Sequence, residues 1–149
     1  MKKILGIAGI FLVIVIVTSI LSPNFLTAYN IENLLRRTSL FGILSIGVGF
    51  VILTAGIDLS IGGVVCLSGI LTPYLLNQMG WSATETVAFI LLMSIAIGVI
   101  QGGLVAYGRI QSFLVTLCGL LIFRGLARGV TMDQTQGFQG KFSELRWIG

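Results

Sequence analysis

The chain has 149 residues, 56% of them hydrophobic and only 9% charged, with a formal net charge of +4 and a mean hydropathy of +1.05. So little polar surface excludes a soluble globule. The basic residues stand at the ends of apolar runs and in the tail, as lipid-interface and topology residues do, which excludes a nucleic-acid reading of the positive charge.

Charge punctuates the chain. Uncharged runs of 28, 20, 26 and 23 residues separate Lys3 from Glu32, Arg37 from Asp58, Asp58 from Glu85 and Glu85 from Arg109. A helix rises about 1.5 Å per residue, so about 20 apolar residues cross a hydrocarbon core of about 30 Å. The pattern predicts an all-α membrane protein, a polytopic transmembrane helix bundle of about five spans over residues 1–130.

The first span is expected over residues 4–21. Its 18 apolar residues exceed a signal-peptide core, and Ser22-Pro23-Asn24 offers no small-x-small cleavage site, so it reads as a retained span. Ser22 to Phe25 breaks the helix, and Asn30 to Arg37 reads as an interfacial turn or two leading into a second span over 38–57. Around Gly56-Ile57-Asp58-Leu59-Ser60 the apolar run is interrupted only briefly. A glycine can end a helix in the left-handed conformation, and Asp or Ser can accept from the free N–H groups of the next helix. Asp58 is therefore read first as a cap of a third span, over 59–76, where its carboxylate also complements the helix dipole. A polar loop from Asn77 to Thr86 precedes a fourth span over 87–107, and a short turn, Gly108 to Ser112, precedes a fifth over 113–130. Residues 131–149 form a polar extramembrane tail with Asp133, Lys141, Glu144 and Arg146.

Ser94, Gly98, Gly102 and Ala106 recur every four residues and place small side chains along one stripe of the fourth span. Such stripes admit a second helix at close range. Ser45 with Gly49 and Gly125 with Gly129 repeat the pattern. Gln101 beside the stripe needs a hydrogen-bonding partner, either along a polar path or on a neighbouring helix. Arg124, well inside the fifth span, either snorkels to the interface or faces the bundle and pairs with an acid.

Cys66 and Cys118 stand alone in apolar runs and read as small core residues. The chain has no histidine, no cysteine pair at metal spacing and no second carboxylate near Asp58, so no metal site, cofactor or acid–base dyad is expected and the chain does not read as an enzyme. Gly140-Lys141-Phe142 is no phosphate loop, which assigns any nucleotide-driven work to another chain. Two other classes stay open at this level: a non-transporting membrane assembly subunit, and an ATP-independent transporter or channel fragment.

The run Gly49-Phe50-Val51-Ile52-Leu53-Thr54-Ala55-Gly56-Ile57-Asp58-Leu59-Ser60-Ile61-Gly62 resembles a G-[MV]-x-[FL]-V-I-L-[TS]-G-G-I-D-L-S-V-G stretch of the ribose permease family, the sugar-importing ABC permeases. Gly108 to Leu117 is similar to the family's G-[KR]-[IL]-P-x-F-I-V-T-L, Arg124-Gly125-Leu126-Ala127 to its R-G-L-A, and Asn30 to Ser39 to the entry of its second helix. The chain departs from the family at Ala55, where a glycine is usual, at Gly63, where serine is common, and at Gln111, where proline stiffens the turn. It departs again at Thr131-Met132-Asp133-Gln134-Thr135, where the family often reads T-G-G-Q-[TS].

The resemblance covers residues 24 to 135 and corresponds to the N-terminal half of a permease of about ten spans, so the chain is expected to be truncated or one piece of a split subunit. It implies part of the translocation pathway of an ATP-driven, binding-protein-dependent sugar importer. The implied partners are a cytoplasmic ATP-binding subunit that hydrolyses ATP, a periplasmic or extracellular sugar-binding protein, a second permease subunit in a homo- or heterodimer, and membrane lipid. It makes Gly56, Asp58 and Ser60 candidates for gating as well as capping, and Gln101, Thr116 and Arg124 candidates for the pathway wall or for packing. It further implies the bacterial inner membrane, a cytoplasmic N-terminus and Arg109 in a cytoplasmic turn. Lys2 and Lys3 agree with that orientation, whereas Arg36 and Arg37 run against it.

Overall fold

The computed structural model describes residues 2–138, and the regular structure there is entirely helical: α1 (Lys2–Leu21), α2 (Ala28–Leu53), α3 (Ile61–Asn77), α4 (Ala83–Ala106) and α5 (Ser112–Thr131). Four of these, Ile4–Leu21, Ala28–Leu53, Ala83–Ala106 and Ser112–Thr131, are long and apolar enough to cross a membrane. The 17 residues of α3 fall short of that length. The helices form two units, Met1–Ser45 and Ile46–Gly149. The tail residues Lys141, Glu144 and Arg146 lie outside the described residues.

In the first unit, α1 is apolar on every side and buries none of it: Ile4, Phe11 and Ile20 are 72%, 65% and 77% exposed. A helix of this kind has lipid as its natural surroundings. Its hydroxyls are satisfied locally, Thr18 Oγ1 donating to Ile14 O and Ser19 Oγ to Val15 O, each at 2.7 Å. The polar turns from Asn30 to Arg37 and the second span are one helix that begins at Ala28. Thr27 starts it, with its carbonyl accepting from Ile31 N at 3.0 Å and Asn30 N donating to its Oγ1 at 3.4 Å. The Glu32–Arg36 pair, one turn apart at 2.9 Å, supports the exposed first turns.

In the second unit, α2 ends at Leu53 rather than at residue 57, and α3 begins at Ile61 rather than at residue 59. The left-handed residue that stops α2 is Ala55, at φ 55°, and not Gly56. Ala55 N donates to Ile52 O at 2.9 Å and Gly56 N to Val51 O at 3.0 Å, the paired bonds of a Schellman cap with Ala55 at its turning position. Gly56 fits closely there: a Cβ would lie 3.1 Å from Val51 Cγ1 and 3.3 Å from Val51 O, so a side chain would have to push Val51 aside by a few tenths of an ångström.

The small core sits around α3, which packs most closely on α5 and less extensively on α4. Leu67, Leu75 and Leu76 of α3 and Val115 and Ala127 of α5 are its buried apolar residues. The two helices meet at Gly63, where a Cβ would lie 3.1 Å from Leu120 Cα and from Leu120 O. A tight loop through Gly80, at φ 71°, joins α3 to α4. The start of α4 moves up to Ala83 because Ser82 and Glu85 form a reciprocal capping box. At its other end the chain turns through Gly108, where a Cβ would meet Leu104 O at 2.6 Å, and through Arg109 at φ 52°.

Candidate functional site

The connector of residues 54–60 between α2 and α3 is the chemically richest part of the described chain. Asp58 Oδ1 accepts from Ser60 N at 2.7 Å, just ahead of the first turn of α3. Ser60 Oγ lies 2.7 Å from Asp58 Oδ1 and 2.9 Å from Gln101 Oε1 on α4. The hydroxyl carries one proton, so it can donate to only one of these oxygens at a time. With the amide turned about its last bond, Gln101 Nε2 donates to Ser60 Oγ and Ser60 donates to Asp58, one proton per link. Asp58 forms no ion pair among the described residues.

A second set of bonds ties the connector to α5. Ile57 N donates to Ser112 Oγ at 3.2 Å. Thr116 Oγ1 lies 2.8 Å from Ser112 O and 3.2 Å from Ile57 O, so its proton faces both carbonyls. Two helices, α4 and α5, thus hold the seven residues of non-helical backbone.

Beside this connector opens a cavity of about 800 Å³. Its walls carry Asp58, Gln101, Ser112, Thr116, Arg109 and the small residues Gly98, Gly102 and Ala106. A separate groove of about 400 Å³ between α4 and α5 is lined almost wholly by aliphatic and aromatic side chains. The polar lining distinguishes the first space as the one suited to water or a hydroxylated solute.

The structure brings Gly56, Asp58, Ser60, Gln101 and Thr116 together and leaves others out. Arg124 is exposed on α5 and forms no ion pair among the described residues. In the stripe of α4, a Cβ at Gly98 or Gly102 would meet no atom within 4 Å among the described residues. Gly49, Gly125 and Gly129 are equally open. Ser94 turns its hydroxyl to Ile90 O on its own helix. Cys66 is half-buried and Cys118 exposed, and both are free thiols. No group of metal-ligating side chains converges among the described residues.

Three residues of the site escaped the sequence. Ser112 looks like part of a turn, yet it is the contact that anchors Ile57. Gly63 and Gly119 fall outside any four-residue repeat, yet they make the close approaches: a Cβ at Gly119 would overlap Gln101 Nε2 and lie 3.2 Å from Ser60 Cβ. An isolated glycine in a helix costs about 1 kcal/mol relative to alanine, which is the signal that could have marked both.

Residues 30–149 match the family model described as branched-chain amino acid transport system / permease component. The chain belongs to this permease family. Among its relatives is the ribose import permease of Escherichia coli (strain K12), 42% identical over 126 residues, which are 85% of this chain and 38% of the relative. The xylose transport system permease of the same organism is 38% identical over 129 residues, 87% of this chain and 33% of the relative. The ribose import permease of Haemophilus influenzae is 36% identical over 126 residues. The chain therefore spans little more than a third of the length of these permeases, and no solved structure matches it.

Proposed function

We propose that the chain supplies pathway wall to the permease of an ATP-driven, binding-protein-dependent sugar importer in the bacterial inner membrane. The observation that carries this reading is its 42% identity to a ribose import permease along nearly the whole of α2 to α5. On this reading ATP hydrolysis belongs to a cytoplasmic ATP-binding subunit. A periplasmic or extracellular sugar-binding protein delivers the solute, and a second permease subunit completes the path. The N-terminus is cytoplasmic, which places the 54–60 connector and Arg109 at the cytoplasmic end and the Gly80 loop at the outer end.

In this scheme the helices act as rigid bodies that exchange between two packings, and the partners bias which packing is populated. Asp58, Ser60, Gln101 and Thr116 hold the inner corner of the pathway, where a hydrogen-bonded connector can move against α4 and α5 as a unit. Arg124 serves at the lipid interface, and the open stripe of Gly98, Gly102 and Ala106 faces the path or a partner helix.

Affinity purification of the tagged chain from its native membranes tests the reading. Co-purification of an ATP-binding subunit and a soluble sugar-binding protein, with ribose or xylose uptake that stops when ATP is withheld, is the expected result. Solute uptake driven by an ion gradient in ATP-free proteoliposomes would overturn it.

A further inference from the structure

In lipid no hydrophobic force presses one helix against another, so a helix is held by close packing and by hydrogen bonds to its neighbours. By that measure α3 and α5 are one body. They meet at Gly63 and Leu120, and the buried apolar side chains of the described core, Leu67, Leu75, Leu76, Val115 and Ala127, all belong to these two helices. Asn77, at the end of α3, adds a clasp: its Nδ2 donates to Gly137 O, six residues past the end of α5, at 2.9 Å.

The attachment of α4 differs along its length. Its start is fixed. Thr86 is fully buried, Trp81 N just ahead of the helix donates to Leu75 O of α3 at 3.1 Å, and the Trp81 and Phe89 rings meet edge to face with centroids 5.5 Å apart. No other residue of α4 is buried among the described residues. Over its second half the helix borders open space on two sides. Ile97, Ile100 and Leu104 share the groove of about 400 Å³ with Leu114, Val115 and Cys118 of α5, while Gly98, Gly102 and Ala106 border the cavity of about 800 Å³.

One side chain holds this half. Gln101 makes the hydrogen bond to Ser60, at 2.9 Å, that alone joins α4 beyond its first turn to another element among the described residues. Its amide also occupies the notch left by Gly119, where a Cβ would overlap it. At the far end the turn bonds back to α4 itself, Gly108 N to Gly103 O and Ile110 N to Leu104 O, each at 3.3 Å.

We propose that α4 is a swing helix, pivoted on α3 near Thr86 and pinned by Gln101, whose release lets its second half tilt against a fixed α3–α5 pair. Gln101 lies about 22 Å along the helix from Thr86, so a small tilt at the pivot becomes a displacement of several ångströms at the pin. A single neutral hydrogen bond is a weak pin, and both positions are populated. The device rests on packing alone and is independent of which solute the chain helps to carry.

The test replaces Cys66 and Cys118 with alanine and measures distances between paired spin labels on cysteines introduced at exposed sites, with the chain in nanodiscs. Leu121→Cys on α5 is combined in turn with Val65→Cys on α3, Leu91→Cys in the first half of α4 and Val99→Cys in the second. The Leu121–Val99 pair is expected to give a distance distribution at least about twofold wider than the other two pairs. Adding Gln101→Leu, or Gly119→Ala, which drives the amide from its notch, is expected to widen that pair further and to leave the Leu121–Val65 pair unchanged. Equal widths for all three pairs would overturn the proposal, as would a Gln101→Leu chain in which every pair widens alike. Where a pin variant fails to fold, the three pairs in the chain with Gln101 and Gly119 intact decide the matter by themselves.

Discussion

Ala55, Met132 and Asp133 adopt positive φ values of 55°, 49° and 60°, and all three stand where the family pattern carries glycine. A side chain in the left-handed region costs about 1 kcal/mol, with Asp the best tolerated. Ala55→Gly is therefore expected to raise the stability of the detergent-solubilised chain by about 1 kcal/mol in thermal or denaturant unfolding. An unchanged or lowered midpoint would mean that the Schellman geometry at the end of α2 is wrong. Gln111 behaves oppositely: it replaces the family proline, yet holds φ at −59° and forms no hydrogen bond from its N–H among the described residues. The missing proline thus leaves the turn before α5 in proline geometry. Gln111→Pro should stabilise by about 0.5–1 kcal/mol, through a less flexible unfolded chain. Ser60 is 2% exposed and links Asp58 to Gln101. Ser60→Ala should cost about 1–3 kcal/mol, because it strands the half-buried Gln101 amide, while Asp58 keeps the backbone N–H of residue 60.

At the scale of elements, α3 and α5 approach closely because Gly63 presents no side chain to the Leu120 backbone. Gly63→Ala is expected to push the helices apart by a few tenths of an ångström and to cost about 1–3 kcal/mol. The same substitution at Gly102, where a Cβ would meet no atom within 4 Å, should raise the stability of the isolated chain by up to about 1 kcal/mol through helix propensity alone. Parallel unfolding curves for the two variants separate a real helix crossing from a generic glycine effect. The start of α4 depends on the Ser82 capping box. Ser82→Ala should fray its first turn, seen as faster amide exchange at Glu85 and Thr86, with a loss of about 1 kcal/mol.

For the molecule as a whole, most of the large apolar side chains are exposed, including those of α1 throughout. Water would not tolerate that surface, so the chain is expected to remain in the membrane pellet after an alkaline wash and to come out only with detergent. Recovery as a water-soluble monomer would overturn the bundle. The 4–21 and 87–107 segments were legible as helices because hydrocarbon forces backbone groups to bond within a segment, and 18 or more uncharged residues leave few alternatives, while 113–130 was legible from its apolar run in spite of Arg124 and Arg128. Their ends were less legible: Thr27 and Ser82 move α2 and α4 forward through caps whose strength depends on geometry. The Asp58 corner was visible as an interruption, but its partners were not, since Gln101 and Thr116 lie 41 and 59 residues from the groups they meet.

By itself the sequence determined that this is an α-helical membrane chain of permease type, because the spacing of charges against bilayer thickness and four ordered motifs require no knowledge of how helices pack. Only the tertiary structure decided that α3 is short, that Gly63 and Gly119 rather than the four-residue stripe make the close contacts, and that Asp58, Ser60 and Gln101 share one polar corner. Those outcomes depend on which faces of separate helices meet and at what height, and no local pattern of residues encodes either.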